Sequence, residues 1–351
     1  MFFLSCSNDE GETITGPVTP VELDFPLLFG NPRKDTDNNP LTEEGINLGR
    51  HLFYDEMLSS TQEKSCASCH KQQFAFSDNK AFSDGVNGRK TIRSSMAISN
   101  TLWQENFFWD GRAKTLEEQA LGPIQNPLEL DLDLDVLEER LQESDLYQDL
   151  FAKAFPGEEI TAENCAKALS QFQRTLISNN SRFDQSKLGL TELTAQELRG
   201  EQLFFTHPEP TISDRGGNCG DCHAGFLTYS NRFSNNGLGL EDVGLQAVTG
   251  DPDDLGKFKI VSLRNIELTA PYMHDGRFET LEEVLDHYNE HIIQSPTLDI
   301  LISEATNLPF PSSSDTIQLG LTEQEKEDII AFLKTLTDES FTTNEAFSSP
   351  F

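Results

Sequence analysis

Residues 107–119 read FFWDGRAKTLEEQ, and residues 272–284 read YMHDGRFETLEEV. Seven positions of these stretches are identical in register, from the D-G-R triplet to the T-L-E-E run. Identities of this kind at one spacing predict an internal repeat. Two further pairs occur in the same order: CASCH at 66–70 with CGDCH at 219–223, and LGRHLF at 48–53 with RGEQLF at 199–204. We therefore predict a chain built from two copies of one small domain.

The C-x-x-C-H pattern, which occurs once in each copy, is the attachment signature of c-type haem. Its two thiols bind the porphyrin covalently, and its histidine supplies an axial imidazole to the iron. The two sets are Cys66, Cys69 and His70 in the first copy and Cys219, Cys222 and His223 in the second. Zinc is the alternative ligand, but the paired C-x-x-C units of a zinc site lie about 15–20 residues apart. The far wider separation here predicts two covalently bound haem c groups.

Haem c is attached outside the cytoplasm, so we predict export to the periplasm or cell envelope. The first residues, MFFLSCSNDEGE, resemble the end of a lipoprotein signal, which makes Cys6 a candidate lipid anchor and residues 1–22 a tether. The alternative is an ordinary terminus with an incidental cysteine. The remaining cysteine, Cys165, lies among small apolar residues of a predicted helix, and we expect it to be a core residue.

The composition is strongly acidic, with 26 Lys and Arg against 59 Asp and Glu and a formal net charge of −33. Such a charge repels phosphate backbones and excludes nucleic acid as a natural partner. The acidity is interpreted either as a contribution to solubility or as electrostatic steering of a basic protein partner. The chain contains no run of eighteen apolar residues, so no transmembrane helix is predicted.

Apolar residues recur with helical spacing in seven segments. These predicted helices cover 42–53, 114–121, 134–155, 161–178, 194–205, 280–292 and 322–336. We predict a mainly α-helical protein made of two tandem c-type cytochrome domains related by internal duplication. The first domain spans 23–185, the second spans 186–340, and residues 341–351 form a tail.

The two copies differ on the helix that follows the D-G-R triplet. One apolar stripe consists of Leu281, Val284, Leu285 and Tyr288, and the equivalent residues of the first copy are Leu116, Gln119, Ala120 and Pro123. A phenol oxygen can bind iron, whereas a proline cannot. The alternative is that Tyr288 is a packed aromatic residue. The comparison of the copies favours Tyr288 as the sixth ligand of the second haem.

Taken together, these motifs resemble those of bacterial di-haem cytochrome c peroxidases of the MauG superfamily, from about residue 38 to residue 338. The matching segments are LGRHLFYDEMLS, SCASCH, FFWDGRAKTLEEQALGPIQNPLEL, GNCGDCH, GKFKIVSLRNIELTAPYMHDGRFETLEEV and LTEQEKEDIIAFLKTLT. The resemblance implies an N-terminal haem that reacts with peroxide, a C-terminal haem that transfers electrons, and a tryptophan between them.

The resemblance also assigns roles to four residues. Trp109 matches the tryptophan between the haems, and Gln119 and Pro123 match residues of the peroxide pocket. Glu129 matches the acid–base residue of the family. The chemistry fits this role, since a carboxylate near the iron can move a proton between the two peroxide oxygens. The alternatives are that Glu129 is a solvated acid in an acidic run and that Trp109 only packs in the core.

Two features separate this chain from ordinary peroxidases of the family. Residues 71–100 contain no histidine, so the first haem should be open in the resting protein and should need no reductive activation. Tyr288 stands where ordinary peroxidases have methionine, as it does in MauG-type proteins. An oxygen ligand favours ferric iron, which makes the second haem a poor acceptor of electrons from a high-potential donor. Met273 is a rival candidate for this ligand.

The resemblance further implies a calcium ion between the haems, held by an asparagine side chain and two backbone carbonyls. The carbonyl positions match Thr269 and Pro271, whereas Ser94 stands at the asparagine position. Serine is a shorter and weaker oxygen ligand, so we expect calcium to bind here with reduced affinity.

The leading hypothesis is an exported oxidoreductase that reduces hydrogen peroxide at the first haem, with electrons from a small soluble cytochrome c or cupredoxin. The first alternative is a MauG-like oxidase that modifies a partner protein or an organic substrate. The second alternative is a non-enzymatic di-haem electron carrier or redox sensor, in which both irons would be six-coordinate. The sequence leaves the oligomeric state open, and a dimer is compatible with it.

Overall fold

The structure, a computed structural model, describes residues 16–32, 38–212, 214–308 and 317–351. Within these ranges the chain forms thirteen α-helices joined by loops and short 3₁₀ turns. In chain order the helices are α1 Glu43–Tyr54, α2 Cys66–Cys69, α3 Leu116–Gln125, α4 Leu134–Glu143, α5 Asp145–Ala154, α6 Ala162–Thr175, α7 Arg182–Lys187, α8 Ala195–Phe205, α9 Gln246–Thr249, α10 Leu281–Glu290, α11 Ile300–Ser303, α12 Glu323–Lys334 and α13 Glu339–Thr343. The two-residue strands β1 Phe233–Ser234 and β2 Phe258–Lys259 pair antiparallel. The predicted mainly α-helical class is confirmed.

Each of the seven predicted helical segments contains a helix, but one of them is divided. The segment 134–155 forms α4 and α5, which are separated at Ser144, where ψ is 117° and the backbone is extended. Apolar residues recur at helical spacing on both sides of Ser144, so the break leaves no trace in the apolar pattern. The prediction of one helix over 134–155 was therefore wrong.

The repeated D-G-R stretch has the same local structure in both halves. Gly111 and Gly276 adopt positive φ angles of 69° and 63°. Thr115 then caps α3 by accepting a hydrogen bond from the third residue of the helix, and Thr280 caps α10 in the same way. The internal duplication remains a prediction, and these shared details support it.

The described residues form two large hydrophobic cores and a small cluster of Phe107, Ala113 and Leu116. The first is built from residues between 48 and 176 together with Phe341 and Phe347, and the second from residues between 183 and 336. The helix pair α1 and α6 crosses in the first core, and α8 and α12 cross in the second. The two domains are predicted to meet near residue 185. The second core already begins at Phe183, and the first core includes Phe341 and Phe347 from the end of the chain, so the boundary remains a prediction.

Each helix crossing depends on a glycine at the point of closest approach. A Cβ atom on Gly49 would lie 1.9 Å from the carbonyl oxygen of Ala168, and one on Gly200 would lie 1.8 Å from that of Asp328. Real atoms do not approach so closely, so any side chain here would push the helices apart. These glycines belong to the repeated LGRHLF and RGEQLF stretches, and the close crossings explain why both stretches carry glycine at this position.

Residues 341–351, predicted as a tail, pack against the first half of the chain. Phe341 lies on α13 and belongs with Phe347 to the first core. The Tyr54 hydroxyl donates a hydrogen bond to the Phe347 carbonyl over 2.6 Å, and Arg50 Nε donates to the Ser348 carbonyl over 2.7 Å. This segment is an integral part of the first core.

The predicted tether is also partly joined to the fold. Val21 donates its backbone N–H to the Leu41 carbonyl over 2.9 Å, and Glu43 donates to the Thr19 carbonyl over the same distance. Cys6, the candidate lipid anchor, lies outside the described residues. None of the helices within the described ranges is long and apolar enough to span a bilayer.

Replacing Gly200 with alanine should destabilise the protein by about 1–3 kcal/mol, the usual cost of overpacking a well-filled core. Denaturant unfolding of the haem-loaded protein, followed by circular dichroism, measures this change. The matched control is Gly16→Ala, since no atom lies within 4 Å of the added methyl group there. Equal stability of the two variants would contradict the tight crossing of α8 and α12.

Candidate functional site

The first C-x-x-C-H motif presents an imidazole that is oriented for metal binding. Its cysteines begin and end α2, and His70 follows directly. The His70 Nδ1 atom lies 2.7 Å from the Phe76 carbonyl oxygen, which can only accept, so Nδ1 carries the hydrogen. Burial lowers the pKa of His70, so the ring is neutral. The lone pair is therefore on Nε2, which is the arrangement that metal-binding histidines adopt.

The second motif repeats this arrangement in a different local structure. The His223 Nδ1 atom lies 3.0 Å from the Val261 carbonyl oxygen and 3.2 Å from that of Thr228. Burial lowers the pKa of His223 to about 4, so this ring is also neutral and its lone pair is also on Nε2. Two thiols beside such an imidazole form a donor set that fits a covalently attached haem.

The four cysteines of the two motifs form no disulfide bonds, so their sulfur atoms are available for attachment to haem. Burial raises the pKa of Cys66 and Cys219 to about 12, and that of Cys69 and Cys222 to about 11. Before haem is attached, all four would therefore be neutral thiols at pH 7. Cys165 is also free and fully buried in the first core, as expected for a core residue.

A cavity partly open to solvent lies beside the second motif and reaches the junction of the two halves. It is lined by residues of the motif, of the α10 stripe and of the first half, including Cys219, Cys222, His223, Leu281, Val284, Leu285, Tyr288, Met273, Asn236, Trp109 and Ser94. The Tyr288 hydroxyl oxygen accepts a hydrogen bond from Asn236 Nδ2 over 3.2 Å, and burial raises the pKa of Tyr288 to about 12. Tyr288 and His223 thus share one cavity, as binding to the same iron would require.

Trp109 lies at the junction of the two halves and is connected to the second half through Ser94. The indole Nε1 donates to the Ser94 carbonyl over 2.9 Å, and Ser94 Oγ donates to the Met273 carbonyl over 2.8 Å. The indole also packs edge-on against His274, with ring centroids 6.4 Å apart. This position, on the wall of the cavity, fits the predicted location between two haems.

Glu129 lies in a loop that is tied to its neighbours by backbone hydrogen bonds. The next residue, Leu130, donates its N–H to the Pro123 carbonyl over 3.2 Å, and Val86 donates to the Glu129 carbonyl over 2.9 Å. The carboxylate accepts a hydrogen bond from Asn126 Nδ2 over 2.7 Å. The loop therefore keeps the carboxylate close to α3.

The electrostatic surroundings of Glu129 differ from those of a surface acid. Burial raises its pKa, while the Asn126 amide and the Arg112 guanidinium oppose the rise. In turn, the charge of Glu129 contributes to the raised pKa of both Cys66 and Cys69. The carboxyl group thus lies near the first motif and holds its proton more tightly than a solvated glutamate does.

Gln119 and Pro123 are one turn apart on α3. Both are half-buried, and they lie on the same face as the buried residues Leu116 and Ala120. The Pro123 carbonyl accepts the hydrogen bond that holds the Glu129 loop. The three predicted pocket residues of the first half are therefore connected: Gln119 and Pro123 lie on α3, and the Glu129 loop is bonded to that helix.

The calcium prediction receives no direct support. Ser94, Thr269 and Pro271 all line the cavity, but the Ser94 hydroxyl is already engaged with the Met273 carbonyl. Across the described ranges, no group of three or more His, Cys, Asp or Glu side chains is arranged to hold a metal ion. Calcium binding at these three residues remains a prediction.

The sequence analysis missed Asn236 and Asp78. Asn236 follows another asparagine and precedes Gly237, a sequence that is typical of a turn and carries no sign of a ligand-binding role. Asp78 is buried beside the first motif, where its Oδ1 pairs with Lys71 Nζ over 2.7 Å and its Oδ2 has no hydrogen-bond partner in the described structure. His287 lies off the apolar stripe but is nevertheless buried, with Nε2 2.9 Å from the Asn236 carbonyl oxygen.

This chain is mostly helical and contains two C-x-x-C-H motifs, each with a neutral imidazole whose Nε2 lone pair can bind iron. These are the features of a di-haem c protein. The model of the family described as di-haem cytochrome c peroxidase matches residues 43–192. The methylamine utilization protein MauG of Methylophilus methylotrophus is 33% identical over 85% of this chain and 84% of its own length. The cytochrome c551 peroxidase of Nitrosomonas europaea is 32% identical over 86% of this chain and 82% of its own length.

A solved structure of a MauG-like protein associated with microbial copper homeostasis has the same fold, with 37% identity and a TM-score of 0.79 over 94% of this chain and 99% of that one. The chain belongs to the di-haem cytochrome c peroxidase family, which includes MauG. It is an oxidoreductase of this family, with haem c as its cofactor. Family membership thus argues against the carrier hypothesis.

The double variant Cys219→Ser with Cys222→Ser should retain one haem instead of two, because it removes both attachment points of the second motif. Intact-protein mass spectrometry and the pyridine haemochrome assay measure the haem content. Cys165→Ala is the matched control and should retain both haems. Two covalent haems in the double variant would show that this motif is not an attachment site.

Proposed function

We propose that the chain is an exported di-haem peroxidase that reduces hydrogen peroxide at a first haem and shares the oxidising equivalents with a second. Cys66 and Cys69 would hold the first haem, and His70 would bind its iron. Cys219 and Cys222 would hold the second haem, and His223 and Tyr288 would bind its iron. The supporting observation is a carboxyl group, Glu129, with a raised pKa next to the first motif.

Bound haem supplies the redox centre at which peroxide is reduced, and Glu129 supplies the proton transfer. Peroxide loses a proton from one oxygen and gains one on the other as the O–O bond breaks. A carboxylate within reach of both oxygens performs both transfers. Burial raises the pKa of Glu129 toward the working pH, which favours proton release as well as uptake.

Three further residues complete the proposed site. Gln119 carries a neutral amide on the half-buried face of α3, and this amide would orient the peroxide by hydrogen bonding. The side chain of Pro123 has no atom that could bind iron, so it would leave the first haem accessible to peroxide. Trp109 lies between the halves, and its indole would provide a path for electrons between the two haems.

Replacing Glu129 with glutamine should slow the reaction with peroxide by about 10²–10⁴-fold, the usual contribution of a general acid–base group. Stopped-flow absorption spectroscopy measures the rate. Wild-type reactivity should also fall as pH drops through a value above the ordinary glutamate pKa of 4.5, since the raised pKa keeps Glu129 protonated there. The variant should lack this decrease.

Glu139→Gln is the matched control for Glu129→Gln, because Glu139 is exposed on α4, and it should react at the wild-type rate. Both variants should keep both haems. An unchanged peroxide rate in Glu129→Gln would remove Glu129 from the mechanism.

A MauG-like oxidase is the second candidate, and Tyr288 is the observation that favours it. Its phenol oxygen lies in the cavity beside the second motif. A phenolate on the second iron stabilises the oxidised state. The enzyme would then extract electrons from a partner protein or an organic substrate instead of accepting them from a high-potential cytochrome c or cupredoxin.

Replacing Tyr288 with methionine should raise the potential of the second haem and speed peroxide turnover with reduced small cytochrome c, because a thioether favours ferrous iron. Spectroelectrochemical titration and steady-state oxidation of the cytochrome measure the two effects. Wild-type turnover that already equals that of the variant would favour the peroxidase over the MauG-like oxidase.

Location, partner and calcium complete the proposal. Covalent haem attachment supports export to the periplasm or cell envelope, with Cys6 as the proposed lipid anchor. The formal charge of −33 favours a basic electron donor or substrate protein, whose approach it would accelerate at low salt. Calcium, if bound, would be held by Ser94 and by the carbonyls of Thr269 and Pro271.

A further inference from the structure

We propose that Asn236 determines which side chain binds the second haem iron opposite His223. Its amide holds Tyr288 as the ligand and keeps Met273 as a reserve ligand that does not bind the iron. This inference rests on the proposed role of Tyr288 as the sixth ligand. Asn236 would then be a positioning residue, which selects between tyrosine and methionine as the ligand of one iron.

A single nitrogen atom contacts both candidate ligands. Asn236 Nδ2 lies 3.2 Å from the Tyr288 hydroxyl oxygen and 3.5 Å from the Met273 sulfur. An amide nitrogen carries two hydrogens, so it can donate to both groups at once. All three side chains line the cavity that also contains His223. The two candidate ligands are therefore neighbours, and one donor links them.

The backbone around Asn236 is tied to the helix that carries Tyr288. The Asn236 carbonyl oxygen is 2.9 Å from Nε2 of His287, the residue before Tyr288 on α10. The Gly237 carbonyl accepts the N–H of Ile293 over 2.9 Å, just beyond the end of α10. The segment is thus attached near both Tyr288 and the end of the helix. The Asn236 amide therefore has a defined position relative to the phenol.

Met273 is held from the other half of the molecule. Its carbonyl accepts the hydrogen bond from Ser94 Oγ over 2.8 Å. Its φ angle is +75°, in the left-handed region that residues other than glycine rarely adopt. Since the backbone of Met273 is held in this way, the origin of its side chain is fixed, and the sulfur lies in contact with Asn236.

The two ligands would have opposite effects on the iron. A phenolate oxygen favours the ferric state, whereas a thioether favours the ferrous state and raises the potential. Donation from Asn236 satisfies the phenolate oxygen without displacing it from iron. Donation to the sulfur engages one of its two lone pairs and so competes with binding of the sulfur to the iron. Loss of the amide would therefore remove support from Tyr288 and release Met273 together.

The test uses Asn236→Leu in the full-length, haem-loaded protein, with readouts other than turnover. Ferric absorption and EPR spectra should show two low-spin populations for the second haem, one of which has the charge-transfer band of a methionine-ligated ferric haem. That population should disappear in the double variant Asn236→Leu with Met273→Leu. Asn236→Asp has the same shape but no donor hydrogens, and it should also produce the second population.

The matched control is Asn231→Leu, which removes a similar amide-to-phenol hydrogen bond of 3.4 Å at Tyr229. It should leave the spectra of both haems unchanged. In a separate variant, Tyr288→Phe, Met273 should bind the iron and the potential of the second haem should rise.

Three outcomes would overturn the proposal, and they differ from one another. A single tyrosine-ligated species in both Asn236 variants would remove the selecting role of Asn236. A five-coordinate second haem in Tyr288→Phe would remove Met273 as the reserve ligand. A wild-type second haem that lacks tyrosine ligation would instead refute the proposed role of Tyr288, and this inference would fail with it.

Discussion

The contact of Ser94 with residues 273 and 274 is the constraint on which the arrangement of the two halves depends. Ser94 donates its N–H to the His274 carbonyl and its hydroxyl to the Met273 carbonyl, both over 2.8 Å, while its own carbonyl accepts the Trp109 indole N–H. One small residue thus joins the first half to the second through its N–H and its hydroxyl, and both bonds end on backbone carbonyls, whose positions are less adjustable than those of surface side chains. Trp109 reaches the cavity of the second motif because of this junction.

The two halves use one local design for two different tasks. The D-G-R turn and its threonine cap set the direction of α3 and of α10 in the same way. The task of each half is then decided by which side chains the helix carries. On α3 the stripe carries the half-buried residues Gln119 and Pro123, neither of which has a side chain that would close a metal site. On α10 the equivalent position carries Tyr288, so the proposed chemistry follows from a difference of a few side chains.

The sequence was informative where the chemistry is local and less so where it depends on the fold. The C-x-x-C-H motifs and the D-G-R repeat are contiguous, so the family and the helical class could be predicted and are confirmed. The break at Ser144 could not be predicted, because the apolar spacing continues across it. Asn236 was missed because it lies 52 residues before Tyr288, and only the packing of its loop against α10 brings them together.

The packing of Phe341 and Phe347 into the first core has a consequence for the order in which the protein folds. During synthesis the second core, built from residues 183–336, is complete along the chain before the first one is. The first half emerges earlier but lacks two aromatic rings until residue 347 has been added. The half that is proposed to react with peroxide would therefore complete its hydrophobic core last. The two halves would then fold as one unit and not as two independent domains in succession.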